Sequence, residues 1–397
     1  MSLLIKEMKI TLKSLTYWVV IVLIGLFAFS QIGGDLTSIR EPKLSDAEYG
    51  MMATKDPKKI QESTYQQLLP EYLNNSYATY PLGFLKSVRI SDKKQKEIEA
   101  LLTKASGLSI DELTKNYQES TNSAGQINFI FPIKKGYSYK EFQQDMQQAS
   151  MIIGKKSNYE EERYREIALE PKTYQQATKD YHLLIEKDQV SGAYVRMVCD
   201  YFGIILALAP IFLAATVIVR DKRAQAQQVI FTKRTSTSKL ILCRYISCVL
   251  LVLLPVLLFA LMPGMQTLMI AEGINAHGSL VLFYQYILGW LTPTILAVTG
   301  IGFLITEVAG GILAIIAQLL FWLANLFLNS GSIIGRVGWS LIPRFNVVGQ
   351  RNLFEKILPE LITNRICWSI LGIACCILTI VLADYKRKGG RLFGKGS

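Results

Sequence analysis

Side chains able to make or break bonds are few in this 397-residue sequence, and they are poorly grouped. The two histidines, His182 and His277, stand apart from other ligand types. No HExxH, GxSxG or CxxC pattern occurs, so metalloprotease, serine-hydrolase and thiol-redox chemistry have no residues to act through. The tail spaces Gly389, Gly394 and Lys395 as a phosphate-binding loop would. It fails as one, because Gly396 replaces the hydroxyl residue that holds magnesium and no strand leads into it. A basic tail at the inner lipid surface is the expectation. All six cysteines fall in or beside apolar stretches without zinc spacing, and are read as small hydrophobes. No catalytic residue, metal site or cofactor is therefore expected on this chain.

Other polar groups that could handle a substrate lie within apolar runs: Thr292, Thr299, Gln318 and Asn325. Intramembrane polar groups face a pathway or tie helices together, and both readings stand for Gln318, the leading pathway candidate. The elements that must hold them follow from hydropathy. Half the residues are hydrophobic and only 19% are charged. A bilayer core needs roughly 20 apolar residues in a helix. Six runs approach that length: Leu15–Ile32, Cys199–Val219, Leu240–Met262, Leu280–Leu304, Val308–Leu328 and Ile366–Ala383. The expected class is an all-α polytopic membrane protein of six transmembrane helices, with a mainly helical extracytoplasmic domain inserted between the first and second. Gly300, Gly310, Gly311 and Ala314 bracket an expected tight turn at Glu307, where small residues suit a hairpin of spans four and five or a subunit contact.

The net charge of +12 sits in short segments beside the apolar runs, with 18 basic and seven acidic residues from Arg196 onward. That pattern suits membrane topology rather than nucleic acid, which is not expected as a partner. Lys6, Lys9 and Lys13 precede span one, a basic loop follows span two, and Lys386, Arg387 and Lys388 follow span six, which places both termini inside. The reading divides the chain into an amphipathic helix at 1–14, span one at 15–32, an outside domain at 33–196, spans two to six within 197–383, and a basic tail at 384–397. Leu4, Ile5, Met8 and Leu12 give the first segment one apolar face, as an interfacial helix or an extension of span one. Segment 329–365 must lie outside although it is basic, so short re-entrant or interfacial helices with their basic residues at lipid headgroups are expected there. Lysine-rich composition and a cysteine-free exterior suggest a Gram-positive bacterium.

Within 33–196, Asp56 before Pro57 and the pairs Ser109/Glu112, Ser138/Glu141 and Ser157/Glu160 mark helix starts. Apolar faces are expected at Ile98, Leu101, Leu102 and Ala105, and at Phe142, Met146, Ala149 and Ile153. Gln126–Ile133 is the strand candidate, and the tyrosines that include Tyr65, Tyr72 and Tyr77 are a solvated face or a partner surface.

The most specific segment is Val219–Tyr245, between spans two and three. Asp221-Lys222-Arg223 forms a charged cluster, Ala224–Phe231 a short helix, Thr232-Lys233-Arg234-Thr235-Ser236 a turn, and Arg244 a basic residue early in span three. In this order the segment resembles the permeases of type-2 ABC exporters, departing from them with Asp221 where Glu is commoner and Arg234 where Pro is usual. The resemblance implies a permease subunit without ATPase chemistry, with ATP and magnesium on a partner ATP-binding subunit and a second permease chain beside it. Loop 220–239 would couple the two, with Asp221, Lys222, Arg223, Lys233 and Arg234 pairing with charges and Val229, Ile230 and Phe231 entering a groove on the ATPase. A peptide, antimicrobial or lipid-like cargo is the expectation. A membrane receptor with a helical ligand-binding exterior is the alternative.

Overall fold

A computed structural model describes residues 3–32, 39–80, 86–120, 129–225, 235–328 and 337–388. The chain forms two compact units, one of residues 1–41 with 179–397 and the other of residues 42–178. The inserted unit is thus narrower than 33–196, because the residues before Ser191 already pack with the helices that follow them.

In the inserted unit, α3 (Pro57–Leu73), α4 (Asp92–Ser106), α5 (Ile110–Glu119), α6 (Tyr139–Ile153) and α7 (Glu161–Ile167) surround an aromatic core. Two antiparallel pairs accompany them. Strands β1 (Met51–Ala53) and β4 (Leu169–Pro171) align Met52 with Glu170, and β2 (Tyr77–Thr79) and β3 (Lys86–Val88) align Ala78 with Ser87. The caps form where local chemistry demands. Asp56 accepts from the Lys58 amide, and Ser109/Glu112 and Ser138/Glu141 are reciprocal capping boxes whose amide and hydroxyl bonds hold both carboxyls below the usual range. The pair at Ser157 is a correction. There α7 starts after Glu160, and Ser157 is fully buried in an isolated bridge with Thr79.

Both expected apolar faces are buried. The strand candidate is not a strand: Gln126 to residue 128 lie outside the described residues, and 129–134 pair with no neighbouring strand. Phe129 and Phe131 still point inward with Ile130 outward, so the alternation reflects burial without a ladder. Tyr65 and Tyr77 are core residues rather than surface. The Tyr65 hydroxyl meets that of Tyr137 at 2.6 Å, Tyr137 donates to Asp145 at 2.7 Å, and Lys104 closes the chain on the same carboxylate.

Glu71 accepts from the Tyr159 hydroxyl at 2.8 Å, yet burial lifts its carboxyl above the ordinary range. A folded pKa above the unfolded one gives stability that is complete below the unfolded value and is lost as pH rises through the folded value. The inserted unit is therefore expected to melt higher at mildly acidic than at neutral pH through this group. Glu71→Gln should remove that part of the difference in circular dichroism melts of the full chain, and an unchanged pH dependence in the variant would refute the assignment.

The second unit is the membrane body. Helix α1 (Leu3–Leu12) precedes α2 (Leu15–Ile32), and α8 (Tyr174–His182) and a π-helical turn (Leu183–Lys187) lead into α9 (Ser191–Leu206) and α10 (Pro210–Arg223). Then come α11 (Thr237–Phe259), α12 (Leu261–Gly273), α13 (Leu280–Ala309), α14 (Gly311–Leu328) and α15 (Arg351–Arg387). Among the described residues, five stretches are long and apolar enough to cross a bilayer: Leu15–Ile32, Ser191–Asp221, Thr237–Gly273, Leu280–Ala309 and Arg351–Arg387. The expected fifth span falls on the shorter apolar helix Gly311–Phe327. The chain is an all-α polytopic membrane protein with an inserted, mainly helical unit.

Three details differ from expectation. The turn after span four is at Gly310, with φ +94°, because α13 runs through Glu307 to Ala309. Residues 337–350 form no helix, and 351–365 begin the last helix. Arg344 and Arg351 turn into the bundle rather than outward, since buried carboxylates wait for them: Arg344 meets Asp200 at 2.7 Å and Arg351 meets Asp188 at 3.0 Å, whereas Lys356 is exposed.

Candidate functional site

Loop 220–239 leaves α10 and returns through α11, and its base is where the described residues concentrate charge. Asp221 lies at the end of α10, and Arg244 lies two turns into α11, whose start is capped by Ser236 accepting from the Lys239 amide. Arg244 donates to Asp221, tying the outgoing helix to the returning one. Glu7 of α1 enters from the side, bonded to Arg220, with its carboxylate 3.5 Å from the Arg244 Nε. Glu7 and Arg244 are almost fully buried, so two cations and two anions neutralise one another with little water between them. On the other flank, Arg387 donates to the Thr235 carbonyl at 2.8 Å, Thr237 donates to Asp384 at 3.3 Å, and Lys386 pairs with Glu307 at 2.9 Å. Both ends of the loop are thus clamped, by α1 on one side and α15 on the other.

Asp221, placed by sequence at the ATPase contact, is engaged within its own chain. Arg223 is exposed, and Lys222 lies in the same last turn of α10. Val229, Ile230, Phe231, Lys233 and Arg234 lie outside the described residues. Glu7 escaped sequence reading, although a signal was there: it lies on the same helical stripe as Leu4 and Thr11, on the side where lysines are absent.

Two of the pathway candidates, Gln318 and Asn325, serve the backbone. Span two breaks between α9 and α10, where Pro210 has no N–H to give. The break leaves the carbonyls of Ile204 and Ala207 without their helical partners, and α14 supplies substitutes: Trp322 donates to Ile204 at 2.8 Å and Gln318 to Ala207 at 2.6 Å. Asn325 accepts from the Leu341 amide at 2.9 Å, pinning the 337–350 loop where it is buried. Thr292 and Thr299 have buried hydroxyls with no acceptor among the described residues. Gln318→Leu is accordingly expected to cost about 1–3 kcal/mol by stranding a buried carbonyl. Thr299→Val should be close to neutral in the same thermal melts, and equal effects of the two would refute the distinction.

The small residues do bring helices close, with other partners than a span four to span five hairpin. Gly300 crosses Gly372 of α15, while Gly311 lies beside Ala215 and the buried Ala314 packs with Ala207 and Ile211 of span two. No group of His, Cys, Asp and Glu among the described residues could hold a metal ion.

With this arrangement described, comparison with known proteins adds the decisive observation: the ABC-2 family transporter protein family matches residues 9–359. The chain belongs to the ABC-2 transporter family. No curated protein and no solved structure matches it at a significant level. The family match runs through the inserted unit as well as most of the membrane body, so both belong to one transporter chain. An ABC-2 chain is the membrane permease of an ABC transporter, a multi-pass transport component that works with an ATP-binding subunit.

Proposed function

We propose that this chain is the permease of an ATP-driven exporter, and that loop 220–239 carries force from the ATP-binding subunit into spans two and three. The observation that supports this reading best is the cross-tie at the base of the loop. Asp221, Arg244, Arg220 and Glu7 join α10, α11 and α1, so a push on the loop moves three helices together instead of bending one. ATP and magnesium stay on the partner subunit, and the membrane body pairs with a second permease chain, identical or paralogous. Both termini and the loop face the cytoplasm of a Gram-positive cell, with residues 33–196 outside, in keeping with the basic residues at the span ends. A peptide, antimicrobial or lipid-like cargo suits a transporter with this much extracytoplasmic chain.

Contact and transmission separate experimentally. Arg223→Glu and Phe231→Ala should reduce recovery of the ATP-binding subunit in pull-downs from co-expressing cells. Glu7→Gln should leave recovery intact while uncoupling ATPase activity from the permease in reconstituted complexes. Unchanged association in the first two variants would count against the coupling role, as would labelling of Gln227→Cys by an impermeant reagent on intact cells.

A further inference from the structure

Between α13 and α15 a groove of about 520 Å³ opens on the surface of the membrane body. One wall is an apolar stripe of α15, Ile366, Ile370 and Ile373, each about half exposed. The groove is also lined by Trp290 and Arg365, which are buried. Arg365 donates to Asn364 Oδ1 at 2.8 Å, to Thr294 Oγ1 at 2.9 Å and to the carbonyls of Trp290 and Ser340 at 3.2 and 3.1 Å. Every one of these acceptors is neutral. Among the described residues no carboxylate pairs with Arg365, whereas Arg196, Arg344 and Arg351 each have one. A buried cation held only by dipoles keeps its full charge in a low-dielectric setting, and nearby anions are strongly favoured there. The Trp290 indole N–H, also buried, has no acceptor among the described residues.

We propose that this groove binds an anionic bilayer lipid, with its acidic headgroup drawn to Arg365 and one acyl chain lying along Ile366, Ile370 and Ile373. Charge complementarity selects an acidic headgroup, and the isoleucine stripe at helical spacing selects a hydrocarbon chain. The site opens sideways from the bundle, toward the medium in which lipid is always present. Gly289 also lines it. A Cβ there meets nothing within 4 Å, so a side chain can be added at this wall of the groove.

The test uses the purified full chain, stripped of lipid in detergent and then offered phosphatidylglycerol or phosphatidylcholine of matched chains, with retained lipid read by native mass spectrometry. The wild type is expected to retain phosphatidylglycerol over phosphatidylcholine by about tenfold, the ratio one buried charge contact readily supplies. Arg365→Gln should bring the two lipids level, and Arg365→Lys, which keeps the charge should the neutral variant misfold, should preserve the preference. Gly289→Trp should lower retention of both lipids with an unchanged melting temperature. Equal retention by the wild type, or undiminished phosphatidylglycerol on Gly289→Trp, would overturn the proposal. So would a disulfide between two copies of Ile366→Cys in membranes, which would make the groove a subunit contact. Release of the lipid on ATP turnover with the partner subunit would make it cargo and overturn the resident site too. The binding measurement needs no ATPase, so its outcome is independent of the coupling role proposed above.

Discussion

Gly300→Ala and Gly372→Ala are each expected to abolish the folded membrane body, seen as loss of monodisperse protein after solubilisation. The two glycines face each other where α13 crosses α15. A Cβ on Gly300 would overlap the Gly372 carbonyl oxygen and lie 2.9 Å from its carbon, and a Cβ on Gly372 would lie 2.5 Å from the Leu296 oxygen and 2.6 Å from its carbon. Ordinary overpacking costs about 1–3 kcal/mol because side chains can shift. Here the obstacle is backbone on both sides, so the helices must separate and give up packing along their whole contact. Gly289→Ala, in the same helix α13 but facing open space, provides the control and should behave as wild type. A normal melting temperature for Gly300→Ala would show that the crossing is looser than its geometry.

That crossing also illustrates what the sequence could and could not disclose. Gly300 is legible as a packing residue, since small side chains in an apolar helix permit close approach. Its partner is not, because nothing in a hydropathy pattern distinguishes α14 from α15 as the neighbour. Gln318 repeats the lesson: its burial in a span can be read, but its acceptor exists only because Pro210 breaks a different helix. Caps and local boxes at Asp56, Ser109 and Ser138 were legible because both partners lie within three residues. The loop at 337–350 was not, since its buried carbonyls are met by Arg365, Asn364 and Trp368 from further along the chain. In segment 219–245, Asp221 and Arg244 stand out by type and position, and only the fold reveals that they hold each other.

The largest electrostatic effect is expected at the entry to span two. Asp188 and Arg196 are both fully buried, joined by two bonds of 2.7 and 2.6 Å, and Arg351 adds a third at 3.0 Å. Arg196 also donates to the Gly349 carbonyl at 2.6 Å, and its guanidinium lies 4.7 Å from the centre of the Phe354 ring. Between the two residues the backbone is held in the left-handed region at Gln189 and Val190, φ 47° and 55°, a costly state for a β-branched residue that the ion pair helps to fix. Asp188→Ala leaves Arg196 without its anion among aromatic faces, and should cost about 3–5 kcal/mol. Arg196→Met should cost less, because Arg351 still neutralises Asp188 from the rim. The double replacement Asp188→Ala with Arg196→Met removes both charges at once, and Arg351 keeps its bond to Glu355. It should therefore be destabilised by much less than the sum of the single changes. Additivity in thermal melts of the four proteins would refute the pairing, since a shared buried bond must appear as a coupling energy in the cycle.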